Sequence, residues 1–475
     1  MMRAGFRIGL DCFAMTLVVF QAMLVGFCPR ALAISPPVVD PDVSPPSGAP
    51  GPVQTMQQRS PCSISGVIPG TDPGIVTSNQ SMLNLTAAWQ ISRGEGQLVA
   101  IVDTGVRPGP RLPNVEGGGD YVESSDGLID CDGHGTLVAG IVAGQPDPAG
   151  YDSFSGVAPA ALLLSIRVTS AKFSLRSPGG DPQLEQMSLK VTTLGRAIVH
   201  AADLGARVIT ISAITCLPAD RPIDQSELGA AIRYAVVDKD AVIVAAAGNA
   251  GSTGTGGGSM NCESNPLTDL GHPDDPRNWA SVTSVSIPSW WQPYVLSVAS
   301  LTPDGQPSKF TMPGPWVGIA APGENIVSVS NRDNGGLANG LPNDRDQQIA
   351  LNDTSYAAGY VSGVAALVRS RYPELTATQV LRRITATAHT GARVPSNVVG
   401  AGILDPVAAL TWSLPAPNES PIAPVKPVTV PPVPAPKDNT PRNVAFVGTA
   451  ALALVVAAVA STAAIVARRR KDPTP

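Results

Sequence analysis

Four polar side chains lie where loops are expected to follow strands or to begin helices. Asp103 ends an apolar run, His134 lies between two glycines, Asn249 follows another apolar run, and Ser355 begins a segment of small residues. A serine nucleophile, a histidine base and an orienting carboxylate form the triad of serine hydrolases, and an asparagine amide can hold an oxyanion. Asp, His, Ser is one of the known chain orders for this triad. The set therefore predicts hydrolysis with Asp103, His134 and Ser355 as catalytic residues and Asn249 as oxyanion donor.

Each of these residues, taken singly, also has a structural explanation. An aspartate after a strand often caps a turn, a serine at a helix start is often an N-cap, and an asparagine suits a turn. His200, His272 and His389 lack a comparable sequence setting and are expected to be structural. The catalytic interpretation depends on the ordered combination of the four residues.

The elements that would position these residues form an α/β pattern over residues 95–410. Continuous apolar runs are typical of parallel strands buried on both faces, and strands that alternate with helices imply right-handed βαβ units. Because sites form at the carboxyl ends of parallel strands, we expect the four side chains to converge there. The predicted strands cover residues 97–102, 162–168, 207–212 and 241–246, and the predicted helices cover 194–204 and 228–237.

Composition excludes several classes of protein. The 475 residues are 43% hydrophobic, which suffices for a sizeable core, and the net charge of −5 argues against a nucleic-acid-binding protein. Six cysteines in a chain of this length exclude a disulfide-dense miniprotein. Residues 34–80 and 250–290 are rich in Pro, Ser or Gly and are predicted to be surface loops.

The N-terminus has the pattern of a secretory signal peptide over residues 1–33. Arg3 and Arg7 precede an apolar stretch, and residues 31–33 (Ala-Leu-Ala) form a cleavage site. The alternative is an uncleaved membrane anchor. An N-terminal arm is predicted over residues 34–85, followed by the main domain over 86–412.

The C-terminus predicts a membrane anchor. Residues 413–442 are a Pro-rich linker, and residues 443–467 are a predicted transmembrane helix because 444–467 carry no charge. The tail, residues 468–475, begins with the basic cluster 468–471, which the positive-inside rule places in the cytoplasm. The main domain is then expected outside the cytoplasmic membrane. The alternative is a buried core helix of a soluble domain.

Four segments resemble motifs of the subtilisin-like serine proteases. They are residues 102–105 (Val-Asp-Thr-Gly), 133–136 (Gly-His-Gly-Thr), 248–249 (Gly-Asn) and 354–357 (Thr-Ser-Tyr-Ala). The resemblance implies a subtilisin-like α/β fold, with a mostly parallel sheet and helices on both faces. It also implies an endopeptidase that acts on protein or peptide substrates, and we expect no cofactor or metal at the site.

The two ends of the chain indicate a subgroup within this family. A signal peptide, a cysteine-bearing arm, a Pro-rich stalk and one C-terminal membrane helix are similar to those of the mycosins, the membrane-anchored proteases of actinobacterial type VII secretion systems. This similarity implies an enzyme that processes exported proteins and associates with a type VII secretion membrane complex. The alternative is a weakly active or inactive domain that mainly stabilises that complex.

Two positions depart from the subtilisin-like pattern. Asp353 stands where the family usually has glycine, and Gly359 stands where it commonly has proline. A carboxylate two residues before Ser355 would repel an oxyanion, or it could cap the helix that carries the serine. We therefore expect a protease with reduced turnover.

Four cysteines, Cys62, Cys131, Cys216 and Cys262, lie outside the predicted signal peptide and permit three disulfide pairings. The loops that carry Cys216 and Cys262 follow strands of consecutive βαβ units, so we expect these two to pair. Cys62 would then join Cys131 and fasten the arm beside the histidine motif.

The resemblance also implies a substrate-binding segment. In the subtilisin-like family an extended substrate adds as a strand beside the stretch that corresponds to residues 211–214 here. Ser212, Ala213 and Ile214 are therefore expected to bind the polypeptide substrate.

Overall fold

The protein is described by a computed structural model, which has two compact units, Met1–Ser413 and Leu414–Pro475. The predicted signal peptide, residues 416–442 of the predicted linker, the tail 468–475 and His272 lie outside the described residues. The described residues are 34–176, 181–221, 223–251, 262–267, 275, 277–389 and 395–415, with 449, 451, 454, 455, 458, 459 and 461–463.

A parallel sheet forms the centre of the first unit. Its seven strands lie in the order β11, β10, β8, β6, β2, β4, β3, and every neighbouring pair is parallel. The strands along the chain are β1 (Met56–Gln58), β2 (Leu98–Asp103), β3 (Val115–Asp120), β4 (Leu162–Arg167), β5 (Phe173–Leu175), β6 (Val208–Ile211), β7 (Thr215–Pro218), β8 (Val242–Ala246), β9 (Ser284–Ile287), β10 (Val295–Leu301), β11 (Val317–Pro322), β12 (Ser328–Val329), β13 (Leu337–Ala338), β14 (Gly340–Pro342) and β15 (Gln348–Ala350). The predicted parallel sheet is confirmed.

Helices cover the sheet. α6 packs against α3 and against β6, β8 and β10, whereas α4 packs against α5 and against β2, β4 and β6. All of β6, β8 and β10 is buried, which explains their continuous runs of apolar and small residues. The α-helices are α1 (Ser78–Met82), α2 (Leu85–Ala88), α3 (His134–Ala143), α4 (Pro182–Asp203), α5 (Ser226–Arg233), α6 (Thr354–Arg371), α7 (Ala377–Ala386) and α8 (Pro406–Thr411).

α6 is buried along almost its whole length. Its first sixteen residues, up to Arg369, are all buried. Small side chains make this depth possible, since a Cβ on Gly363 would lie 2.5 Å from Cβ of Val157. The N-terminal turn of the helix, which carries Ser355, is therefore buried.

The bounds of α4 and the strand β9 differ from the sequence prediction. α4 begins at Pro182 rather than at residue 194, because the Asp181 carboxylate accepts the N–H groups of Gln183 and Leu184 and proline suits a first turn. Part of 250–290, predicted as loop, is strand β9, because β7 supplies an antiparallel partner.

The N-terminal arm packs along the main domain. β1 of the arm pairs antiparallel with β5, so part of the predicted loop 34–80 is a strand. The Arg196 guanidinium donates to backbone carbonyls at Ser47, Ala49 and Gly51. Disulfides join Cys62 to Cys131 and Cys216 to Cys262, and the first of these fastens the arm to the loop before α3.

In the second unit, the described positions between 449 and 463 are helical. The Thr462 hydroxyl donates to the carbonyl oxygens of Ala458 and Val459. Within the part of the chain that the structure describes, no helix has both the length and the apolar character needed to cross a membrane.

Removal of the arm disulfide should loosen the arm. The Cys62–Cys131 bond spans a sequence separation of 69. The free energy of unfolding of the double variant Cys62→Ala, Cys131→Ala should therefore be about 4 kcal/mol lower than that of the wild type. The arm of this variant should also be cleaved faster in limited proteolysis. The matched control removes Cys216 and Cys262, whose separation is 46. Equal rates of arm cleavage in the two double variants would contradict the fastening role.

Candidate active site

A buried carboxylate–imidazole pair lies at the carboxyl end of β2, an interior strand of the sheet. Asp103 is the last residue of β2, and His134 is the first residue of α3. Nδ1 of His134 lies 2.8 Å from Oδ1 and 3.0 Å from Oδ2 of Asp103. Since Nδ1–H donates to the carboxylate, Nε2 is the nitrogen that can accept a proton from a nucleophile.

Asp130, a residue that the sequence reasoning missed, organises the loop before α3. Its Oδ1 accepts the Thr104 hydroxyl at 2.9 Å and the Gly133 N–H at 2.8 Å. Its Oδ2 accepts the Thr136 N–H at 2.9 Å and the Thr136 hydroxyl at 2.6 Å. Burial raises the pKa of Asp130 to about 6, although the Thr136 hydrogen bonds act to lower it. Asp130 is therefore a buried hydrogen-bonding centre.

Asp130 connects the two halves of the carboxylate–imidazole pair. Thr104, which donates to Asp130, also accepts the Gly135 N–H at 2.9 Å. Thr104 follows Asp103 and Gly135 follows His134 along the chain, so these bonds fix the end of β2 against the start of α3. The only sequence signal was an acidic residue four positions before His134.

Ser355 lies in the first turn of α6 and is buried. Its backbone N–H donates to Oδ1 of Asp353, the N-cap residue, at 2.9 Å. The rings of His134 and of the adjacent Tyr356 have centroids 5.4 Å apart, so α6 begins beside the imidazole. Nε2 of His134 has no hydrogen-bond partner among the described residues, so Ser355 and His134 are not hydrogen-bonded in this state.

Asn249 follows β8 and points its amide in a defined direction. Its Oδ1 accepts the Thr354 N–H at 3.1 Å and the Thr354 hydroxyl at 2.9 Å. A backbone N–H can only donate, so the atom that faces Thr354 is the oxygen and Nδ2 remains as a donor. Gly248 takes a φ of 109°, and a Cβ there would lie 2.8 Å from Sγ of Cys262. The turn that places Asn249 therefore requires glycine.

The predicted substrate segment is not a strand throughout. β6 ends at Ile211, and the Ile214 N–H donates to the Ser212 carbonyl at 2.9 Å, which makes a tight turn. Residues 212–214 connect β6 to β7, which starts at residue 215 and pairs with β9, and their expected role in substrate binding stays a prediction. Ser212 and Ile214 are buried, and Ala213 is half-buried.

Three carboxylates determine the charge of the imidazole. Burial lowers the pKa of His134, whereas the charge and hydrogen bond of Asp103 raise it. The charges of Asp353 and Asp130 add to this effect and raise the pKa of His134 to about 9. The raised pKa favours the imidazolium, which must lose a proton before the ring can act as a base.

The other described histidines lie outside this cluster. Nε2 of His389 lies 2.8 Å from Oδ2 of Asp405 at the surface, and burial lowers the pKa of His200. Over the described ranges, no group of three or more His, Cys, Asp or Glu side chains could hold a metal ion.

Comparison with known proteins decides the family. Residues 94–402 match the Subtilase family (Peptidase_S8). The chain is 70% identical over 474 residues to Mycosin-3 of Mycobacterium tuberculosis, and the match covers 100% of each chain. The chain belongs to the mycosins, within the subtilases. It is a subtilisin-like serine protease, and the resemblance drawn from its motifs is confirmed.

Solved structures agree with this assignment. The mycosin is similar to the MycP3 protease from the type VII (ESX-3) secretion system, with a TM-score of 0.76 and 64% identity over 80% of this chain and 100% of that one. It is also similar to a chain of the periplasmic assembly from the ESX-5 inner membrane complex. That match has a TM-score of 0.76 and 48% identity over 85% of this chain and 100% of that one.

Truncation of Asp130 should disturb both stability and catalysis in this mycosin. Asp130→Ala leaves buried donors of Thr104 and Thr136 unpaired, so the free energy of unfolding should fall by about 3 kcal/mol. The kcat/KM for peptide hydrolysis should fall with it, because His134 loses its fixed position. Denaturant unfolding and peptide hydrolysis measure the two effects.

The control for this variant is Asp126→Ala. Asp126 is an exposed residue of the same loop whose carboxylate accepts the Leu128 N–H, and loss of this carboxylate should change stability by about 0.5 kcal/mol or less. Equal losses in the two variants would show that the Asp130 contacts do not order the site.

Proposed function

We propose that this mycosin is a membrane-anchored serine endopeptidase that cleaves exported proteins outside the cytoplasmic membrane. Asp103, His134 and Ser355 would form the catalytic triad, and Asn249 would donate to the oxyanion. The proposal is carried by the buried Asp103–His134 pair with the first turn of α6 beside it. The oriented Asn249 amide supports the same chemistry.

The proposed mechanism uses these groups in two halves. Ser355 Oγ attacks the scissile carbonyl carbon, its proton passes to Nε2 of His134, and the carbonyl π electrons move to oxygen. Nδ2 of Asn249 stabilises that oxyanion. The intermediate collapses, the C–N bond breaks, and Nε2 gives the proton to the leaving amine. Water then repeats the sequence on the acyl-enzyme, and Asp103 stabilises the imidazolium each time.

The substrate is proposed to be a polypeptide bound in extended form along Ser212, Ala213 and Ile214. Added strands use free backbone N–H and C=O groups for affinity. The Ile214 N–H is engaged with the Ser212 carbonyl in the present state, so substrate binding would have to open this turn. Neither a cofactor nor a metal enters the proposed reaction.

Membrane anchoring and association with a type VII secretion complex are part of the proposal. Residues 1–33 would act as a signal peptide, residues 443–467 would cross the membrane once, and the basic tail 468–475 would remain in the cytoplasm. Support for the complex comes from the solved relatives, one of a type VII secretion system and one within an ESX-5 inner membrane complex.

A second role is favoured by one specific observation. Asp353 places a buried carboxylate on the Ser355 N–H, which disfavours rapid hydrolysis. A domain with slow turnover could serve mainly as a structural component that stabilises the secretion complex. The serine replacement described next separates the two roles, because a purely structural role does not need a nucleophile.

A fluorophosphonate probe should label the wild-type enzyme at Ser355. Replacement by Ser355→Ala should abolish both labelling and hydrolysis, because the only atom removed is the nucleophilic oxygen. Thermal unfolding serves as the control and should stay close to that of the wild type. A well-folded wild type that is never labelled would overturn the proposed activity and favour the structural role.

The anchor can be tested by truncation. The full chain should remain in the membrane fraction after carbonate extraction, whereas a chain that stops after residue 442 should be released. A chain that stops after residue 467 lacks only the tail and should stay in the membrane. Retention of the shorter truncation would show that residues 443–467 are not the anchor.

A further inference from the structure

Asp353 is bound to the backbone of the nucleophile. Its Oδ1 accepts the Ser355 N–H at 2.9 Å, and the residue is 0% exposed. Its other oxygen, Oδ2, is also buried and has no hydrogen-bond partner among the described residues. One carboxylate oxygen is therefore engaged at the reacting residue, while the other is left unsatisfied beside it.

The engaged N–H is a group that the proposed reaction would use. An oxyanion that forms on attack by Ser355 lies close to the backbone N–H of that residue, at the positive end of α6. In the present state this donor is occupied, so only Nδ2 of Asn249 is available. An oxyanion placed there would also face the negative charge of Asp353.

Helix capping alone does not explain a carboxylate at this position. Thr77 and Thr376 cap other helices of this chain with neutral hydroxyl groups, and Ser, Thr or Asn serve as well as Asp at an N-cap. Asp181 and Asp405 are capping aspartates, but neither is fully buried. A buried carboxylate with one unpaired oxygen costs stability, so the charge at residue 353 points to a role beyond capping.

We propose that Asp353 is a latch on the oxyanion hole, which holds the Ser355 N–H in the resting enzyme and keeps peptide hydrolysis slow until the carboxylate is displaced. The inference rests on the proposed function, because it concerns the regulation of the same site. The carboxylate is displaced only as the oxyanion forms and takes over the Ser355 N–H, so the latch acts on kcat rather than on substrate binding. Asp353 is thus a positioning residue that acts through Ser355.

The latch also has a consequence for pH dependence. The ionisable groups that face His134 are Asp103 at the end of β2, Asp130 and Asp132 in the loop before α3, and Asp353 at the start of α6. Each negative charge favours the imidazolium. Without the charge of residue 353, the pKa of His134 falls from about 9. In a plot of kcat/KM against pH, the limb on which kcat/KM rises with pH therefore moves to lower pH.

Two substitutions distinguish the effect of the occupied Ser355 N–H from the effect of the Asp353 charge. Asp353→Gly removes both, and glycine is tolerated at an N-cap. Asp353→Asn keeps an oxygen that can hold the Ser355 N–H but removes the charge. The matched control is Asp181→Gly, which removes an exposed capping carboxylate that accepts the Gln183 and Leu184 N–H groups.

The experiment measures hydrolysis of fluorescein-labelled casein and fluorophosphonate labelling by the full chain in detergent, across pH. Asp353→Gly should raise kcat about a hundredfold with little change in KM, the effect of one added oxyanion donor. Asp353→Asn should move the rising limb to lower pH with a smaller gain in kcat. Asp181→Gly should match the wild type in both.

Three results would overturn the latch. If wild type and Asp353→Gly are both labelled at Ser355 and have the same kcat at the pH plateau, the latch fails and the proposed activity stands. If neither folded protein is labelled, the proposed activity fails and the latch fails with it. Should Asp353→Gly not fold, Asp353→Asn decides, and a rising limb unchanged from the wild type would overturn the inference.

Discussion

Two buried side chains from separate elements, Asp103 on β2 and His134 on α3, meet with Nδ1 and Oδ1 2.8 Å apart. An ionisable pair held away from water is costly unless its partners are placed accurately. Asp130 supplies that placement, because its carboxylate binds donors from the end of β2 and from the start of α3. Because this pair is buried, Ser355 must also lie in the protein interior to reach it. This explains why α6 is buried from its first residue.

The N-terminal arm is part of this arrangement. Its disulfide reaches Cys131, which lies between Asp130 and Asp132 in the loop that carries the histidine. The backbone N–H of Ser63, next to the arm cysteine, donates to the Cys131 carbonyl at 2.8 Å. The arm is therefore linked, covalently and by a hydrogen bond, to the segment that positions His134.

Negative charge accumulates around the imidazole. Asp103, Asp130 and Asp353 all raise the pKa of His134, against the effect of burial. Asp103 orients the ring and Asp130 orders the loop, so their charges accompany a structural task. Asp353 bonds the nucleophile itself, and it is the carboxylate whose removal would ease both proton acceptance and oxyanion binding.

The parallel α/β fold could be predicted from the sequence, because unbroken apolar runs and their alternation with helices are local properties. It also supplied Asp103, His134, Asn249 and Ser355, since their motifs are short and contiguous. The pairing of β1 with β5 and of β9 with β7, the direction of the Asn249 amide and the contacts of Asp130 could not be predicted from the sequence. These depend on hydrogen bonds between segments far apart in the chain, which no local periodicity encodes. The hydrogen-bond partner of each polar atom is therefore known only from the folded structure.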